Sequence, residues 1–143
     1  MPMDIKKRAD KLARFFKSRN PFEIIRGLNI ILVYYPLDGV RGFYQYFQRN
    51  NIIYIDERLP EHEKKFVLAH ELGHMFLHKG TNAIFMDTRT HFNSSRYETE
   101  ADLFAMYLLF SDDMISEYKD CTIEQISRTI GYHEKLIELR MRH

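Results

Sequence analysis

The chain has 143 residues and a formal net charge of +1. This length suits one compact domain, and we predict a single domain over residues 1–143. Hydrophobic residues make up 45% of the chain and charged residues 29%, a composition that builds a core and argues against disorder. The balanced charge excludes a whole-protein attraction to nucleic acid or to acidic membranes, so direct nucleic-acid binding is not expected.

The cysteine content and the N-terminus indicate the compartment. A single cysteine, Cys121, cannot form a disulfide within the chain, and we expect it to be a packed thiol. The segment from Met1 to Phe16 contains no uninterrupted apolar run of the kind that a signal peptide needs. No other stretch reaches membrane-spanning length. We therefore expect a cytoplasmic protein with no membrane partner.

Residues 1–28 are predicted to form two helices. In the first, apolar residues recur at helical spacing and basic residues cover most of the remaining surface, which we interpret as a solvated face. The second helix has Asn20 as its N-cap, Pro21 in its first turn and Gly27 at its end.

Residues 29–56 are rich in β-branched and aromatic side chains, which predicts strands at 29–35, 42–48 and 52–55. Arg49-Asn50-Asn51 is the predicted turn before the third strand. Because the strands follow one another at short spacing, we expect a small antiparallel meander. The fold class is therefore α+β, with a small three-stranded antiparallel sheet packed against several helices.

Two longer helices are predicted within residues 60–110. The first begins after Pro60 and ends at Gly80, and the second is capped by Ser94 or Ser95 and runs to about Phe110. The polar stretch 81–95 between them is predicted to be a loop and is a candidate cleft wall.

Residues 111–143 are predicted to contain three shorter helices. The first spans 112–117. A capping box at Thr122 and Gln125 opens the next, which Gly131 closes, and the last runs from Glu134 to about Met141.

The motif that carries chemistry is His70-Glu71-Leu72-Gly73-His74, an HExxH sequence on a predicted helix. Two histidines four residues apart project from one helical face, so both imidazoles can hold one metal ion. Zinc is the expected metal, with one ion per chain. Two imidazoles and one carboxylate leave a fourth position at which water is acidified to a pKa of about 7.

The third ligand is expected to be Glu98 rather than Glu100. Glu98 and Asp102 are four residues apart and share a helix face, whereas Glu100 lies about 200° around the helix from Glu98. With this spacing Glu98 binds zinc, while Asp102 receives the free N–H of a ligand histidine and fixes its tautomer. Ser95-x-x-Glu98 is also a capping box, which offers a purely structural reading of Glu98.

His78 lies one turn beyond His74, but it is not expected to be a ligand. Each step of four residues drifts about 40° around the helix, so His70 and His78 diverge by about 80°. We interpret His78 as a surface or packing histidine. Position 80 is Gly80, which excludes the metzincin pattern with its third histidine six residues after the second.

These motifs together resemble the ImmA/IrrE family of metallopeptidases. The resemblance implies a minimal zincin-like metallopeptidase domain and a small zinc peptidase. It further implies a protein substrate, namely a helix-turn-helix repressor whose cleavage derepresses the genes of a mobile element or phage, or a stress response. The residues that carry it lie in segments 66–74, 77–78, 98–105 and 108–109.

The corresponding hypothesis is a hydrolase in which zinc is held by His70, His74 and Glu98. Glu71 then takes a proton from the attacking water and passes it to the leaving amine. An additional group that stabilises the oxyanion is expected. The sequence offers further candidates for the cleft, which are Tyr97, His91 and Glu100.

Two other functions stay open. In the first, the zinc-binding fold captures a repressor without cleaving it, although a pure binder has no need of Glu71. In the second, the C-terminal segment, which resembles a helix-turn-helix, binds DNA. We favour a helical hairpin that covers the core, because the last helix has balanced charges: Glu134 and Glu138 against Lys135, Arg140 and Arg142.

Overall fold

The computed structural model describes residues 2–78, 85–88 and 96–142. In chain order its elements are α1 (Pro2–Phe16), α2 (Pro21–Gly27), β1 (Ile31–Tyr35), β2 (Val40–Phe47), β3 (Asn50–Asp56), α3 (Glu61–His78), β4 (Phe85–Thr88), α4 (Arg96–Leu109), α5 (Asp112–Ser116), α6 (Ile123–Ile130) and α7 (Glu134–Arg142). The predicted α+β class is confirmed. The predicted helix end at Gly80 and the predicted cap at Ser94 or Ser95 lie outside the described residues.

The sheet differs from the predicted three-stranded antiparallel meander. It has four strands in the order β1-β3-β2-β4, and β3 pairs with β1 in parallel and with β2 in antiparallel orientation. A meander assumes that consecutive strands are neighbours, which would make β2 the partner of β1. Instead β3 lies between them, because it carries Ile53 and Ile55, which are fully buried and need cover from a strand on each side.

The turn between β2 and β3 lies one residue earlier than predicted. Gln48 and Arg49 form a two-residue hairpin loop, since Phe47 pairs with Asn50. Both loop residues have positive φ, 49° and 67°. Two consecutive positive φ angles are typical of the type I′ turn, whose twist matches that of the strands. The turn could not be recognised from the sequence, because neither of its two central residues is glycine.

Within the predicted loop over residues 81–95, the part that the structure describes is a strand. The backbone of Phe85–Thr88 forms β4 and pairs with β2 in antiparallel orientation. An edge strand of four residues is too short to show a clear alternation of apolar and polar side chains, which explains why it was not predicted.

Helix α3 lies between the sheet and α4. It contacts β2 and β3 on one side and α4 on the other. Residues 66–75 of α3 are all buried, which a helix covered on both sides requires. The histidines and Glu71 are consequently held within the hydrophobic core, where their side chains are closely packed.

The C-terminal helices begin where predicted, and α5 and α7 end within one residue of their predicted ends. The Thr122 hydroxyl accepts from the N–H of Gln125, the Gln125 side chain accepts in return from the N–H of Thr122, and Gly131 ends α6 with φ of 92°. In α7, Arg140 is buried and donates to the carbonyl of Phe110 at 3.1 Å and to Asp112 at 2.8 Å. Because Arg140 anchors α7 to the body of the protein, it does not face solvent as a DNA contact would.

Two observations bear on the expected compartment. Cys121 is exposed, so the expectation of a packed thiol is wrong. It lies in the connection between α5 and α6, where Tyr118 supplies the side chain that packs against the core. Among the helices in the described ranges, none is both long and apolar enough to cross a membrane.

Candidate functional site

The structure brings together the three predicted ligands. His70 and His74 lie one turn apart on α3, and Glu98 lies in the first turn of α4. One ligand atom from each lies within 4.8 Å of the other two. Nε2 of His70 is 3.4 Å from Glu98 Oε2, and Nε2 of His74 is 2.5 Å from Glu98 Oε1. Both histidines therefore turn the same ring nitrogen toward one carboxylate.

Glycine inside the motif sets the separation of the two helices. A Cβ atom on Gly73 would lie 3.1 Å from the Cα atom and 3.2 Å from the carbonyl oxygen of Ala101 on α4. These are backbone atoms of a buried helix, so they cannot move aside as a flexible side chain would. Gly73 thus allows α4 to approach α3 at the level of His70 and His74, which places Glu98 within reach of both.

We expect Gly73→Ala to weaken metal binding although it touches no ligand atom. The added methyl group pushes α4 away from α3, and overpacking of this kind costs about 1–3 kcal/mol of stability. The measurement is zinc affinity together with the melting temperature of the metal-free protein. A matched control is Ala69→Gly, which removes a methyl group one turn earlier on α3. Wild-type zinc affinity in Gly73→Ala would contradict the role given to this close approach.

Asp102 lies where the sequence predicted it. Its Oδ1 atom is 2.8 Å from Nδ1 of His70, on the side of the ring opposite to Glu98. The Asp102 carboxylate thus lies within ion-pair distance of Nδ1 of His70, while Nε2 is the atom that faces Glu98. An acidic partner of this kind fixes the tautomer and the ring orientation of a metal-binding histidine.

Burial and hydrogen bonding shift the pKa values of His70, His74 and Glu98 in different directions. Burial lowers the pKa of His70, but its bonds to Asp102 and Glu98 raise it well above the ordinary histidine value. Burial lowers the pKa of His74 to about 4, although its bond to Glu98 acts in the opposite direction. Burial raises the pKa of Glu98, yet the two histidines hold it well below its usual range. The half-buried Glu98 carboxylate is thus stabilised in its ionised form by the two imidazoles.

The donor set fits a divalent metal ion. Two imidazole nitrogens and one carboxylate oxygen converge at a buried point, and this combination with one position left open is typical of catalytic zinc. A metal ion bound here would take the place of protons on the facing Nε2 atoms, since histidine binds metals in its neutral form.

His78 is a packing residue, one of the two interpretations that the sequence offered, and it also contacts the cluster. It is 5% exposed. Its Nδ1 atom is 3.0 Å from Nδ1 of His74, and its Nε2 atom is 2.9 Å from Oε1 of Glu100. The contact between His78 and His74 was not predicted from the sequence. The spacing of four residues, which places two side chains side by side on a helix, was the signal that could have revealed it.

The other predicted cleft residues have different surroundings. The ring of Tyr97 lies against His78, with centroids 4.6 Å apart, and is 43% exposed. Glu100 is bound to His78 and to Arg96. His91 lies outside the described residues. Glu71, the predicted general base, is fully buried on α3 beside His70.

Comparison with known proteins identifies the family. Residues 26–142 match the family described as the IrrE N-terminal-like domain. The chain is 37% identical over 139 residues to "Uncharacterized immunity region protein 2" of Bacillus phage phi105, which covers 95% of this chain and 88% of that protein. It is 31% identical over 115 residues to "Metallopeptidase ImmA" of Bacillus subtilis (strain 168). This match covers 79% of this chain and 67% of that protein. The chain belongs to the ImmA/IrrE family of metallopeptidases.

Proposed function

We propose that this protein is a zinc-dependent endopeptidase whose metal ion is held by His70, His74 and Glu98. The observation that carries the proposal is the convergence of these three donors beside a buried glutamate, Glu71, in a member of a metallopeptidase family. One ion per chain is proposed, because one such cluster is present within the described ranges. The catalytic unit is a single domain over residues 1–143.

Individual residues of the chain have separate roles in the proposed reaction. When bound, zinc lowers the pKa of water and polarises the carbonyl of the bond to be cleaved. Glu71 accepts the proton of the attacking water and delivers it to the leaving amine. Asp102 holds His70 in the tautomer that presents Nε2. The buried setting strengthens each of these electrostatic interactions, because the surroundings screen charges less than water does.

Zinc is favoured over magnesium and calcium by the donor chemistry. Magnesium and calcium prefer oxygen ligands, whereas two of the three donors here are imidazole nitrogens. The absence of thiolate from the cluster and the presence of a carboxylate are typical of hydrolytic rather than structural zinc sites.

We propose a helix-turn-helix repressor in the cytoplasm as the substrate. The resemblance to the ImmA/IrrE family supports this choice, and so does the relative named as an immunity region protein of a phage. Cleavage would remove the repressor and allow transcription. On this proposal the C-terminal helices stabilise the domain, which agrees with the buried position of Arg140.

The test is to incubate the zinc-loaded protein with the helix-turn-helix repressor encoded beside its gene and to map fragments by mass spectrometry. We expect one or a few cuts that disappear when a chelator is added and return with zinc. The Glu71→Gln variant serves as a matched control for contaminating proteases. If the repressor is bound but stays intact, the protein is an anti-repressor without catalysis; if it is neither bound nor cut, the proposed substrate is wrong.

A further inference from the structure

We propose that His78 and Glu100 are positioning residues for His74, acting through a chain of hydrogen bonds that runs from Glu100 through His78 to the His74 ring. This inference rests on the proposed metal site, because its consequence is the way in which His74 presents a nitrogen to the ion.

With a metal ion bound to His74, these contacts assign the protons of both rings. Nε2 of His74 faces Glu98 at 2.5 Å, so this is the atom that would bind a metal ion and must then be without a proton. In the metal-bound protein its Nδ1 atom carries the hydrogen and donates to Nδ1 of His78, which lies 3.0 Å away. The remaining hydrogen of the His78 ring is then on Nε2, which donates to Oε1 of Glu100 at 2.9 Å. Each ring has one donor and one acceptor, as a neutral imidazole requires.

The chain ends on a carboxylate that is itself held in place. Oε2 of Glu100 accepts from Nε of Arg96 at 3.3 Å, one turn earlier on α4. The two carboxylate oxygens of Glu100 are thus both engaged, one by the His78 ring and the other by the Arg96 guanidinium. Hydrogen bonds to an ionised acceptor are shorter and stronger than neutral ones.

Both metal-binding histidines thus receive support from α4, but by different routes. Oδ1 of Asp102 lies directly beside Nδ1 of His70, at 2.8 Å. His74 is supported by Glu100 through one intervening imidazole. Because His78 is 5% exposed and lies against the Tyr97 ring, its ring orientation is restricted by packing. A restricted outer partner holds the ligand in a geometry suited to the metal before the metal arrives.

The experiment measures zinc affinity by competition with a chelator in four variants of the full chain. His78→Phe keeps the ring but has no acceptor, and we expect zinc affinity to fall by roughly 10–100-fold, the usual effect of losing such a partner. His78→Asn places its amide oxygen close to the former Nδ1 position, accepts from His74 and should recover most of that loss. Glu100→Ala should lower affinity, and Glu100→Gln, which keeps an acceptor oxygen, should lower it less.

Two further measurements separate positioning from a merely structural role. The melting temperature of each metal-free variant shows whether folding is impaired, and ring ¹⁵N shifts report whether His74 carries its proton on Nδ1. Positioning predicts a mixed His74 tautomer in His78→Phe and a single one in His78→Asn. His62 is an exposed histidine on the same helix, so His62→Phe is the matched control. It should change neither the zinc affinity nor the His74 tautomer. If His78→Phe does not fold, the comparison of Glu100→Ala with Glu100→Gln tests the inference.

The outcomes distinguish this inference from the proposed function. If wild-type zinc affinity persists in His78→Phe and Glu100→Ala but is lost in Glu98→Ala, the inference is wrong and the metal site stands. The inference is also overturned if His78→Asn is as impaired as His78→Phe. If the wild-type protein binds no zinc, both proposals fail together.

Discussion

Replacing Glu98 with alanine is expected to abolish tight zinc binding. Partners outside the ligand set usually contribute 10–100-fold to metal affinity, so the loss of a ligand should cost more than about 100-fold. The removal also leaves His70 and His74 without the carboxylate that lies between them. Isothermal titration or chelator competition measures the effect directly, and cleavage activity should fall in parallel.

The control for Glu98→Ala addresses the structural reading of this residue. An acid in the first turn of a helix stabilises it by about 0.3–1 kcal/mol through the helix dipole alone. Glu134 occupies the first turn of α7 and is exposed, so Glu134→Ala removes a comparable acid away from the metal site. If Glu98 were no more than such an acid, both variants would lose a little stability and retain zinc. That result would remove Glu98 from the ligand set.

Replacing Glu71 with glutamine is expected to separate metal binding from catalysis. The amide has nearly the same shape as the carboxylate but cannot accept the proton of the attacking water. We expect cleavage to fall by roughly 10²–10⁴-fold, the usual contribution of a general base. Zinc affinity should stay close to that of the wild type, because Glu71 is not a proposed ligand.

Stability provides a second readout for Glu71→Gln. The Glu71 side chain is fully buried. A neutral amide of nearly equal size fits the same packed site, so the melting temperature should stay close to that of the wild type. Cleavage at the wild-type rate would show that another group is the base. A loss of zinc together with activity would mean that Glu71 contributes to the metal site itself.

The parts of the structure that sequence predicted are those governed by local rules. The capping box at Thr122, the N-cap at Asn20 and the helix end at Gly131 all depend on residues within one turn of each other. The approach of Glu98 to His70 and His74 was also predicted, because it follows from helical spacing and the donor set that zinc requires.

The parts that sequence did not predict depend on long-range pairing. The position of β3 between β1 and β2 is decided by which strand must be covered on both sides, and adjacency along the chain gives the wrong answer. The contact of His78 with Glu100 joins residues that are 22 positions apart. Helical spacing on α3 shows that His78 lies near His74, but the partner beyond it depends on how α4 packs against α3.

A crystal structure of the zinc-loaded Glu71→Gln variant, with anomalous scattering recorded at the zinc edge, tests the central claim most directly. We predict one anomalous peak per chain, about 2.0–2.2 Å from Nε2 of His70, Nε2 of His74 and a carboxylate oxygen of Glu98. A peak that lacks Glu98 as a ligand, or that uses His78 or Glu100 in its place, would contradict the proposed site.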